Sequence, residues 1–413
     1  MALALNRTTL ADLPDAVAAP RHDPATATAG IVHVGVGGFH RSHLAVYVDD
    51  LLAAGHRDWA IRGVGLLPGD RALHDALAAQ DHLYSVVTLP GAGDPSVRVI
   101  ASIVDHLLGD DDPDAVVEAL AGPAVRIVSL TVTESGYLQR PDGTFDAASP
   151  ALRADLAGPG TPRSAFGVIV TALKRRRERD HGPFTVMSCD NLPGNGTIAR
   201  AAVLGTAALT DPELHDWIDE HVTFPQSMVD RITPATTPQL IEALERDHGL
   251  RDRWPVPAEP FRQWVLEDSF AAGRPPFEDV GAHLVPDVRP YEEMKLRLLN
   301  GAHQVIAHLG RRTGHTFVHE AIADLTVAEA VRTYLHDEAA PTLDPVPGID
   351  VGAYIATVLE RFANPRVADT LDRLLVDTQA RLRQFVVPIV RDRDSRGVDS
   401  PVARRVLELA GLE

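Results

Sequence analysis

Short apolar segments alternate with amphipathic segments over the first half of the sequence, and this alternation limits the possible folds more than any other feature. Near-continuous apolar runs are typical of strands that are buried on both faces. Amphipathic segments between them predict helices that cover the sheet. The runs that predict strands are 31–34, 59–67, 82–89, 125–132 and 184–189, and those that predict helices are 39–54, 71–79 and 165–179. Strands that alternate with helices form a parallel sheet wound on both faces, so we predict a doubly wound α/β fold.

The character of the sequence changes near residue 284. From Tyr291 onward nearly every segment has helical spacing, interrupted by prolines and glycines such as those in 345–348. A chain of 413 residues also exceeds the size at which a single hydrophobic core is usual. We therefore predict two domains, an α/β domain over 1–284 and a mostly α-helical domain over 285–413.

A glycine-rich turn follows the first predicted strand. Gly35, Gly37 and Gly38 stand between this strand and the helix that begins near Phe39. A Rossmann-type domain holds the pyrophosphate of a dinucleotide at this position. Gly35 would permit the tight turn and Gly37 the close approach of the backbone to phosphate, although His40 replaces the usual third glycine. We predict that these three glycines and Phe39 bind a dinucleotide, and an ordinary strand–helix turn is the alternative.

The second predicted strand ends near an acidic residue. Asp70 follows the turn 65–69, where Rossmann-type domains place the carboxylate that binds the adenosine ribose. A carboxylate there accepts hydrogen bonds from the ribose diol and repels a 2′-phosphate, which favours NAD. Arg71 is adjacent and would hold that phosphate if the cofactor were NADP. We predict NAD and a cofactor contact at Asp70.

Composition excludes several classes of partner and site. The formal net charge of −18 argues against nucleic acid, because phosphate backbones bind surfaces rich in Lys and Arg. The single cysteine, Cys189, excludes an internal disulfide and a thiolate-rich zinc site. His40 and His43 have no carboxylate nearby in the sequence, so we expect no metal there. A small molecule is the partner that remains.

The sequence contains no apolar run long enough to span a membrane. Residues 1–14 also lack the apolar core of a signal peptide, since they include Arg7 and Asp12. We therefore expect a cytoplasmic protein, either a monomer or a homodimer.

The segment 291–304 carries residue types that suit oxidation of an alcohol. That reaction needs a base for the hydroxyl proton, donors for the oxygen and polar groups that orient other hydroxyls. On one α-helix Lys295, His303 and Asn300 would lie at roughly 0°, 80° and 140°, with Lys295 and His303 about 12 Å apart along the axis. An extended polyol would fit along that face, and a solvent-facing polar stripe is the alternative. A lysine base also needs burial or a neighbouring cation that lowers its pKa.

Candidate polar residues also follow two predicted strands, and a third lies in a later polar stretch. Asn191 lies at the carboxyl end of the strand 184–189, where open α/β sheets bind ligands, and could donate to the reacting oxygen. A turn rich in Asn, Pro and Gly is the alternative at this position. Glu134 follows the strand 125–132, and Asp230 lies in the polar stretch 224–236.

Together these stretches resemble the mannitol dehydrogenase family, the polyol-specific long-chain dehydrogenases and reductases. The matching pieces are Gly-Val-Gly-Gly-Phe-His-Arg at 35–41, Thr-Val-Thr-Glu-Ser-Gly-Tyr at 131–137, Ser-Cys-Asp-Asn-Leu-Pro-Gly-Asn-Gly at 188–196, Val-Asp-Arg-Ile-Thr-Pro at 229–234, and Lys295 with Asn300 and His303. The resemblance implies a Rossmann-type domain followed by a helical domain. It also implies metal-independent, NAD-dependent oxidation of a sugar alcohol such as mannitol to a ketose such as fructose.

The resemblance assigns a role to each candidate residue. By this likeness Lys295 is the general base, Asn191 and Asn300 polarise the reactive oxygen, and Glu134 helps the lysine exchange its proton with solvent. The residues that orient the substrate by the same likeness are His303, Asp230, Arg373 and Arg381.

The chain departs from the family pattern at two places. Members often carry Asp-Gly-Ser-x-Lys near position 380, whereas this sequence reads Asp-Thr-Gln-Ala-Arg over 377–381. Arg381 keeps the cation but has a different reach and fork geometry, which affects the choice of substrate. Typical relatives also continue for several tens of residues beyond the position of Glu413, so we expect fewer helices in the second domain.

Three alternatives remain beside mannitol oxidation. D-arabinitol dehydrogenase is the nearest alternative within the family. A hexuronate reductase such as fructuronate reductase is the next, since Arg373 or Arg381 could bind a uronate carboxylate. The alternative from a different class is a nucleotide-binding sensor that has lost catalysis.

Overall fold

The structure, a computed structural model, describes residues 2–140, 143–158 and 160–412. The chain forms two compact units. The first unit contains Met1–Thr88, Ser96–Ala258 and Arg262–Val288, and the second contains Leu89–Pro95, Glu259–Phe261 and Arg289–Glu413. The second unit therefore includes two short segments that come from much earlier in the chain.

The first unit contains all of the strands in the described residues. These are β1 Leu3–Ala4, β2 Val17–Ala18, β3 Ala29–Val34, β4 Ala60–Gly65, β5 Tyr84–Thr88, β6 Ser96–Ile100, β7 Ile103–Leu108, β8 Ile127–Leu130, β9 Thr185–Ser188, β10 Ser227–Asp230, β11 Leu250–Arg251, β12 Val256–Ala258, β13 Gln263–Glu267 and β14 His283–Val285. Its α-helices are α1 Gly38–Ser42, α2 Leu44–Ala53, α3 Arg71–Ala78, α4 Pro113–Ala121, α5 Pro150–Ala157, α6 Ala165–Glu178, α7 Asn195–Thr210, α8 Pro212–His221 and α9 Pro238–His248.

The main sheet of this unit is parallel and has the order β7-β4-β3-β8-β9. The chain runs outward from β3 to β4 and β7, and then returns to place β8 on the other side of β3. Ligands of open α/β sheets bind where the strand order reverses in this way, here between β3 and β8.

Helices cover both faces of the main sheet. Val32 and Val34 of β3 join an apolar cluster with α4, α6 and α7, whereas Ile31 joins a second cluster with α2 and α3. Alternate residues of a strand point to opposite faces, so the same apolar run supplies both clusters. The predicted doubly wound Rossmann-type fold is therefore confirmed.

Three smaller sheets complete the first unit. Their orders are β12-β5-β6-β2, β10-β13-β14 and β1-β11. The run 82–89 was expected in the parallel sheet, but β5 lies in a separate sheet, where Tyr84 pairs with Ile100 of antiparallel β6. The helix predicted over 39–54 is also two helices, because the backbone breaks at His43 with φ −112° and ψ −93°.

The second unit is helical, as predicted. Its α-helices are α10 Arg289–Met294, α11 Gly301–Arg312, α12 Val318–Ala323, α13 Leu325–Thr333, α14 Val351–Phe362, α15 Leu371–Leu375, α16 Thr378–Phe385, α17 Val387–Ser395 and α18 Pro401–Leu409, and two π-helical segments lie at Lys295–Asn300 and Tyr334–Ala339. The largely buried α11 packs against α12, α13, α15 and α18, so this helix forms the centre of the unit.

The two early segments are bound into the second unit by polar contacts. Arg361 of α14 donates to both carboxylate oxygens of Glu259 at 2.9 and 2.8 Å, and its guanidinium lies 4.2 Å from the centre of the Phe261 ring. Asn364 donates to the carbonyl oxygen of Leu89 at 2.8 Å. The pair of Arg361 and Glu259 is buried, so each charge needs the other.

Candidate active site

The carboxyl ends of the parallel strands bring most of the predicted first-unit residues to one edge of the main sheet. Val34 lies opposite Val64 on one side and Leu130 on the other, and Leu130 lies opposite Ser188. The segments that follow these four strands begin at this edge. They carry the glycine turn, Asp70, Glu134 and Asn191.

The glycine turn requires glycine at its first position. Gly35 has a φ of +92°, and a Cβ there would lie 2.1 Å from the carbonyl oxygen of Thr131. A Cβ on Gly37 would meet no atom within 4 Å, whereas one on Gly38 would lie 3.6 Å from Thr233. Gly35 therefore shapes the backbone, and Gly37 leaves open space that a phosphate group can enter.

His40, which replaces the third glycine, is buried in a ring stack. Its ring lies on that of His33, with 3.4 Å between the centroids and 14° between the planes. The Thr131 hydroxyl donates to the carbonyl oxygen of Gly35 at 2.6 Å, so His33 Nε2 donates to the Thr131 oxygen at 2.8 Å. Burial lowers the pKa of His33 to about 3 and that of His40 well below its ordinary value. The stacked histidines are therefore neutral near pH 7. His33 supports the glycine turn through Thr131, which bonds to the Gly35 carbonyl oxygen.

Phe39 and its neighbours complete the turn. The Phe39 ring stacks on His43 with 4.9 Å between centroids. Ser42 of α1 bonds to the Thr233 hydroxyl at 2.7 Å, and Arg231 donates to the Ser42 carbonyl oxygen. These contacts hold the segment that follows β10 against the helix that follows the glycine turn.

Asp70 lies close to the end of β4. A Cβ on Gly65 would lie 2.6 Å from the Asp70 Cβ, so glycine is needed for this approach. The Asp70 carboxylate accepts the Leu67 N–H at 2.9 Å, which fixes its turn. The adjacent Arg71 forms an ion pair with Asp111, whose hydrogen bond raises the pKa of the guanidinium. The carboxylate predicted for the ribose therefore lies beside a cation that is already paired.

Glu134 is exposed and begins the turn Glu134–Tyr137 after β8, whereas Tyr137 at the end of this turn is buried. Thr133, just before it, has a φ of +62°, a conformation that β-branched residues rarely adopt. The backbone N–H groups of Val132 and Thr133, just before this turn, donate to Asp190, which follows β9 and precedes Asn191. Asp190 was not predicted as a site residue, although it lies inside the stretch 188–196 that resembles the family motif.

Asp230 is the last residue of β10 and is buried, with 4% of its surface exposed. Its strand pairs with antiparallel β13, so that Asp230 lies opposite Gln263. The position at a strand end is the kind that ligand-binding residues occupy.

In the second unit, the segment that carries Lys295 is not a uniform α-helix. Lys295–Asn300 is π-helical between α10 and α11, so the angles predicted from α-helical geometry are wrong for this segment. The Tyr334 hydroxyl donates to the carbonyl oxygen of Arg297 at 3.0 Å, and a Cβ on Gly301 would lie 2.0 Å from that hydroxyl oxygen. The wide turn thus depends on an inserted hydroxyl and on a glycine that leaves room for it.

The three predicted residues of this segment are not a solvent-facing stripe. Lys295 is 6% exposed and His303 is 8% exposed, while Asn300 is partly buried. The His303 ring packs against Phe362 with 4.6 Å between the centroids. Polar groups that are buried in this way are usually held for a structural or chemical purpose.

The two predicted substrate cations have different surroundings. Arg373 of α15 is exposed and donates from Nε and Nη2 to both carboxylate oxygens of Asp369, at 2.6 Å each. Arg381 lies on α16 and is partly buried. Arg373 would therefore have to exchange a bidentate partner in order to bind a carboxylate substrate.

Residues 2–140, 143–158 and 160–412 contain neither a metal-binding cluster nor a membrane-spanning helix. No group of three or more His, Cys, Asp or Glu side chains in these ranges is arranged to hold a metal ion. None of the helices in the same ranges is both long and apolar enough to cross a membrane.

Comparison with known proteins identifies the family. Residues 29–279 match the mannitol dehydrogenase Rossmann domain, and residues 287–409 match the mannitol dehydrogenase C-terminal domain. The chain belongs to the mannitol dehydrogenase family. This confirms the resemblance found in the sequence motifs.

Individual relatives in the mannitol dehydrogenase family cover most of the chain. It is 47% identical over 382 residues to the mannitol 2-dehydrogenase of Cereibacter sphaeroides, a match that covers 92% of this chain and 80% of the relative. A Pseudomonas fluorescens mannitol 2-dehydrogenase, solved as a ternary complex with NAD and D-mannitol, is 45% identical with a TM-score of 0.92. That match covers 98% of this chain and 83% of the other. A D-sorbitol dehydrogenase in substrate-free form is 41% identical with a TM-score of 0.92, covering 98% and 85% of the two chains.

Proposed function

We propose that this protein is an NAD-dependent polyol dehydrogenase that oxidises D-mannitol to fructose without a metal ion. The observation that carries the proposal is the likeness, at 45% identity and a TM-score of 0.92, to an enzyme solved with NAD and D-mannitol. We further propose that 1–284 forms the nucleotide-binding domain and 285–413 the catalytic domain, as the sequence predicts.

The residues of the nucleotide turn fit NAD. The open space beside Gly37 admits a phosphate, and the Asp70 carboxylate can accept hydrogen bonds from the ribose diol. Because the adjacent Arg71 is paired with Asp111, this cation is already neutralised and a 2′-phosphate would meet the negative charge of Asp70. Bound there, NAD would supply the hydride acceptor for oxidation of the carbinol carbon.

We assign the proton chemistry to the second unit. The Lys295 amine accepts the hydroxyl proton as the carbon–oxygen single bond of the alcohol becomes a carbonyl. The Asn300 amide donates to that oxygen while its charge changes, and His303 binds a neighbouring hydroxyl. The burial of Lys295 and His303 supports this assignment, since a dry site strengthens each of these interactions.

Residues of the first unit take the remaining roles. We propose that Asn191 donates to the reacting oxygen, Asp230 orients substrate hydroxyls, and Glu134 exchanges the lysine proton with solvent. Arg373 and Arg381 of the second unit are proposed to orient the far end of the substrate.

D-sorbitol is the second candidate substrate, because the structural likeness to a D-sorbitol dehydrogenase is equally high. The test is NADH formation with mannitol, sorbitol and D-arabinitol, together with NADH consumption by fructose and fructuronate. The highest kcat/KM for mannitol and fructose is expected. Preference for sorbitol, arabinitol or fructuronate would replace mannitol in the proposal, and no turnover of any of them would overturn it.

Replacement of the proposed base separates catalysis from nucleotide binding. Lys295→Ala should lower kcat by about a hundredfold to ten-thousandfold, the usual contribution of a general base. Its NADH dissociation constant, measured by fluorescence titration, should stay close to that of the parent protein. The control is Lys174→Ala, which removes an exposed lysine paired with Asp211. Retention of parental kcat by Lys295→Ala would show that another group is the base.

A further inference from the structure

A buried aspartate joins the ends of β8 and β9. Asp190 is 9% exposed and accepts the N–H groups of Val132 and Thr133 at 2.9 and 3.1 Å. It also accepts the Tyr137 hydroxyl at 2.6 Å, and the Ser188 hydroxyl lies 2.6 Å from the same tyrosine oxygen. Since the tyrosine proton goes to the carboxylate, Ser188 donates to Tyr137. Asp190 thus closes both ends of the turn that contains Glu134.

A buried asparagine continues this network to β10. Asn195 is 1% exposed and donates from its amide to the carbonyl oxygens of Asp190 and Ser227, at 3.0 and 2.7 Å. Its own oxygen accepts the Ser227 N–H at 3.1 Å, and the Ser227 hydroxyl donates to the Ser188 carbonyl oxygen at 2.6 Å. Each of these groups has a partner, so the network is rigid as well as buried.

Two strand ends in this network, those of β8 and β9, carry proposed site residues, and the network reaches β10 at its first residue, Ser227. Glu134 follows β8, Asn191 follows β9 directly after Asp190, and Asp230 ends β10. The backbone just before Glu134 is also strained, because Thr133 has a φ of +62°, which β-branched residues rarely adopt. Without the two hydrogen bonds to Asp190, this turn would relax and displace Glu134.

We propose that Asp190 is a positioning residue, which holds the Glu134 turn and Asn191 in register for catalysis while contacting neither substrate nor NAD. Asn195 extends the same support to Ser227 at the start of β10, the strand that ends at Asp230. The inference rests on the proposed function only where it concerns catalysis, since the order of the turn can be measured without any substrate.

The chain offers a matched control in Asp252. This aspartate is fully buried in the same unit and accepts the N–H groups of Ser85 and Trp254 at 2.6 and 2.9 Å. It also accepts the Ser85 hydroxyl and the Gln80 amide. Asp252 therefore has the same kind of partners as Asp190, but its contacts do not include the strand ends that carry Glu134, Asn191 and Asp230.

The test compares Asp190→Asn with Asp252→Asn. In each variant an amide NH2 replaces one acceptor and faces a donor, so both should lower the melting temperature. Asp190→Asn alone should lower kcat/KM for mannitol by about ten- to a hundredfold, as expected for small displacements of catalytic groups. The NADH dissociation constant of both variants should remain within about twofold of the parent value, since neither aspartate is assigned to the nucleotide turn. Equal losses of kcat/KM in the two variants would reduce Asp190 to a stability role and overturn the proposal.

A second measurement does not depend on turnover. Amide hydrogen exchange over residues 132–137 should accelerate in Asp190→Asn and stay unchanged in Asp252→Asn. Tyr137→Phe, a milder change that removes one hydrogen bond to Asp190, should give the same pattern with a smaller effect. Unchanged exchange in both Asp190→Asn and Tyr137→Phe would overturn the proposal, even if the parent protein oxidised no polyol. Accelerated exchange in an inactive parent would instead place the failure in the proposed function.

Discussion

At the scale of single residues, charge pairing at the end of the main sheet bears on the choice of cofactor. Asp70 presents a carboxylate near the end of β4, and Asp111 follows the neighbouring strand β7. The guanidinium of Arg71 lies between these acidic segments and is paired with Asp111. Arg71, the cation that could bind a 2′-phosphate, is therefore already engaged in an ion pair with Asp111.

Release of Arg71 should increase the affinity for NADPH. Asp111→Asn removes the ion pair and leaves the Arg71 guanidinium available to a 2′-phosphate, so the dissociation constant for NADPH should fall by about two- to fivefold. Fluorescence titration with NADPH and NADH measures the change, and the value for NADH should stay nearly constant. Asp219→Asn is the control, since it frees Arg200 from an exposed pair and changes the net charge equally. A gain that persists in Asp111→Asn combined with Arg71→Ala would contradict this explanation.

At the scale of elements, the π-helical segment Lys295–Asn300 is held by a side chain from another helix. The inserted Tyr334 hydroxyl donates a hydrogen bond to the Arg297 carbonyl oxygen. Its oxygen lies only 2.0 Å from the position that a Cβ of residue 301 would occupy. The π-helical segment therefore depends on two residues: Tyr334, whose hydroxyl is inserted, and Gly301, whose missing side chain leaves space for that hydroxyl.

Replacement of this pair should give non-additive losses of stability. Tyr334→Phe leaves the Arg297 carbonyl oxygen without its partner and should cost about 1–3 kcal/mol. Gly301→Ala forces a methyl group against the hydroxyl oxygen and should cost at least as much. The double variant should lose less than the two single losses combined, because the clashing oxygen is absent. Urea unfolding of the four proteins measures the coupling, and strict additivity would show that the two residues act independently.

The local sequence pattern predicted where strands form better than it predicted which strands pair with one another. Strands β4, β8 and β9 lie inside the predicted runs and β3 begins two residues before its run, because continuous apolar character reports burial on both faces. The run that became β5 was equally apolar, but its pairing with β6 and β12 depends on residues far along the chain. Apolar periodicity contains no information about such partners.

The candidate site was predictable to a similar extent. The motif at 35–38 predicted the glycine turn, because the φ of Gly35 and the space beside Gly37 are local requirements for glycine. The π-helical segment was not predictable from 291–304, since it depends on Tyr334, which comes more than thirty residues later. The stack of His40 on His33 was missed for a related reason, because it joins a helix to a strand across a turn.

At the scale of the whole molecule, buried neutral histidines link stability to pH. Burial lowers the pKa of His33, His43 and His106 to about 3 in the folded protein, whereas histidines of an unfolded chain titrate near 6.5. Between these values the unfolded chain binds more protons than the folded one. The stabilisation is therefore fully present above about pH 6.5 and is lost as the pH falls towards 3.

The three histidines together should give a steep acid dependence. Each should lower the free energy of unfolding by about 1 kcal/mol between pH 6.5 and 5.5, so the three together should lower it by about 3 kcal/mol over that range. Urea unfolding across that range measures the slope. His106→Leu should reduce this fall by about 1 kcal/mol, and replacement of exposed His221 by Leu is the control. A slope that does not change in His106→Leu would show that the acid sensitivity comes from other groups.

The two early segments of the second unit have a consequence for biosynthesis. Leu89–Pro95 and Glu259–Phe261 leave the ribosome well before α14, which supplies Arg361 and Asn364 as their partners. Domains usually fold in the order of their synthesis, but here parts of the later unit interrupt the earlier one. The nascent chain must therefore keep Glu259 hydrated until nearly the whole protein has been made. The two units should mature together at the end of translation, and a fragment that begins at residue 289 would bury Arg361 without its carboxylate.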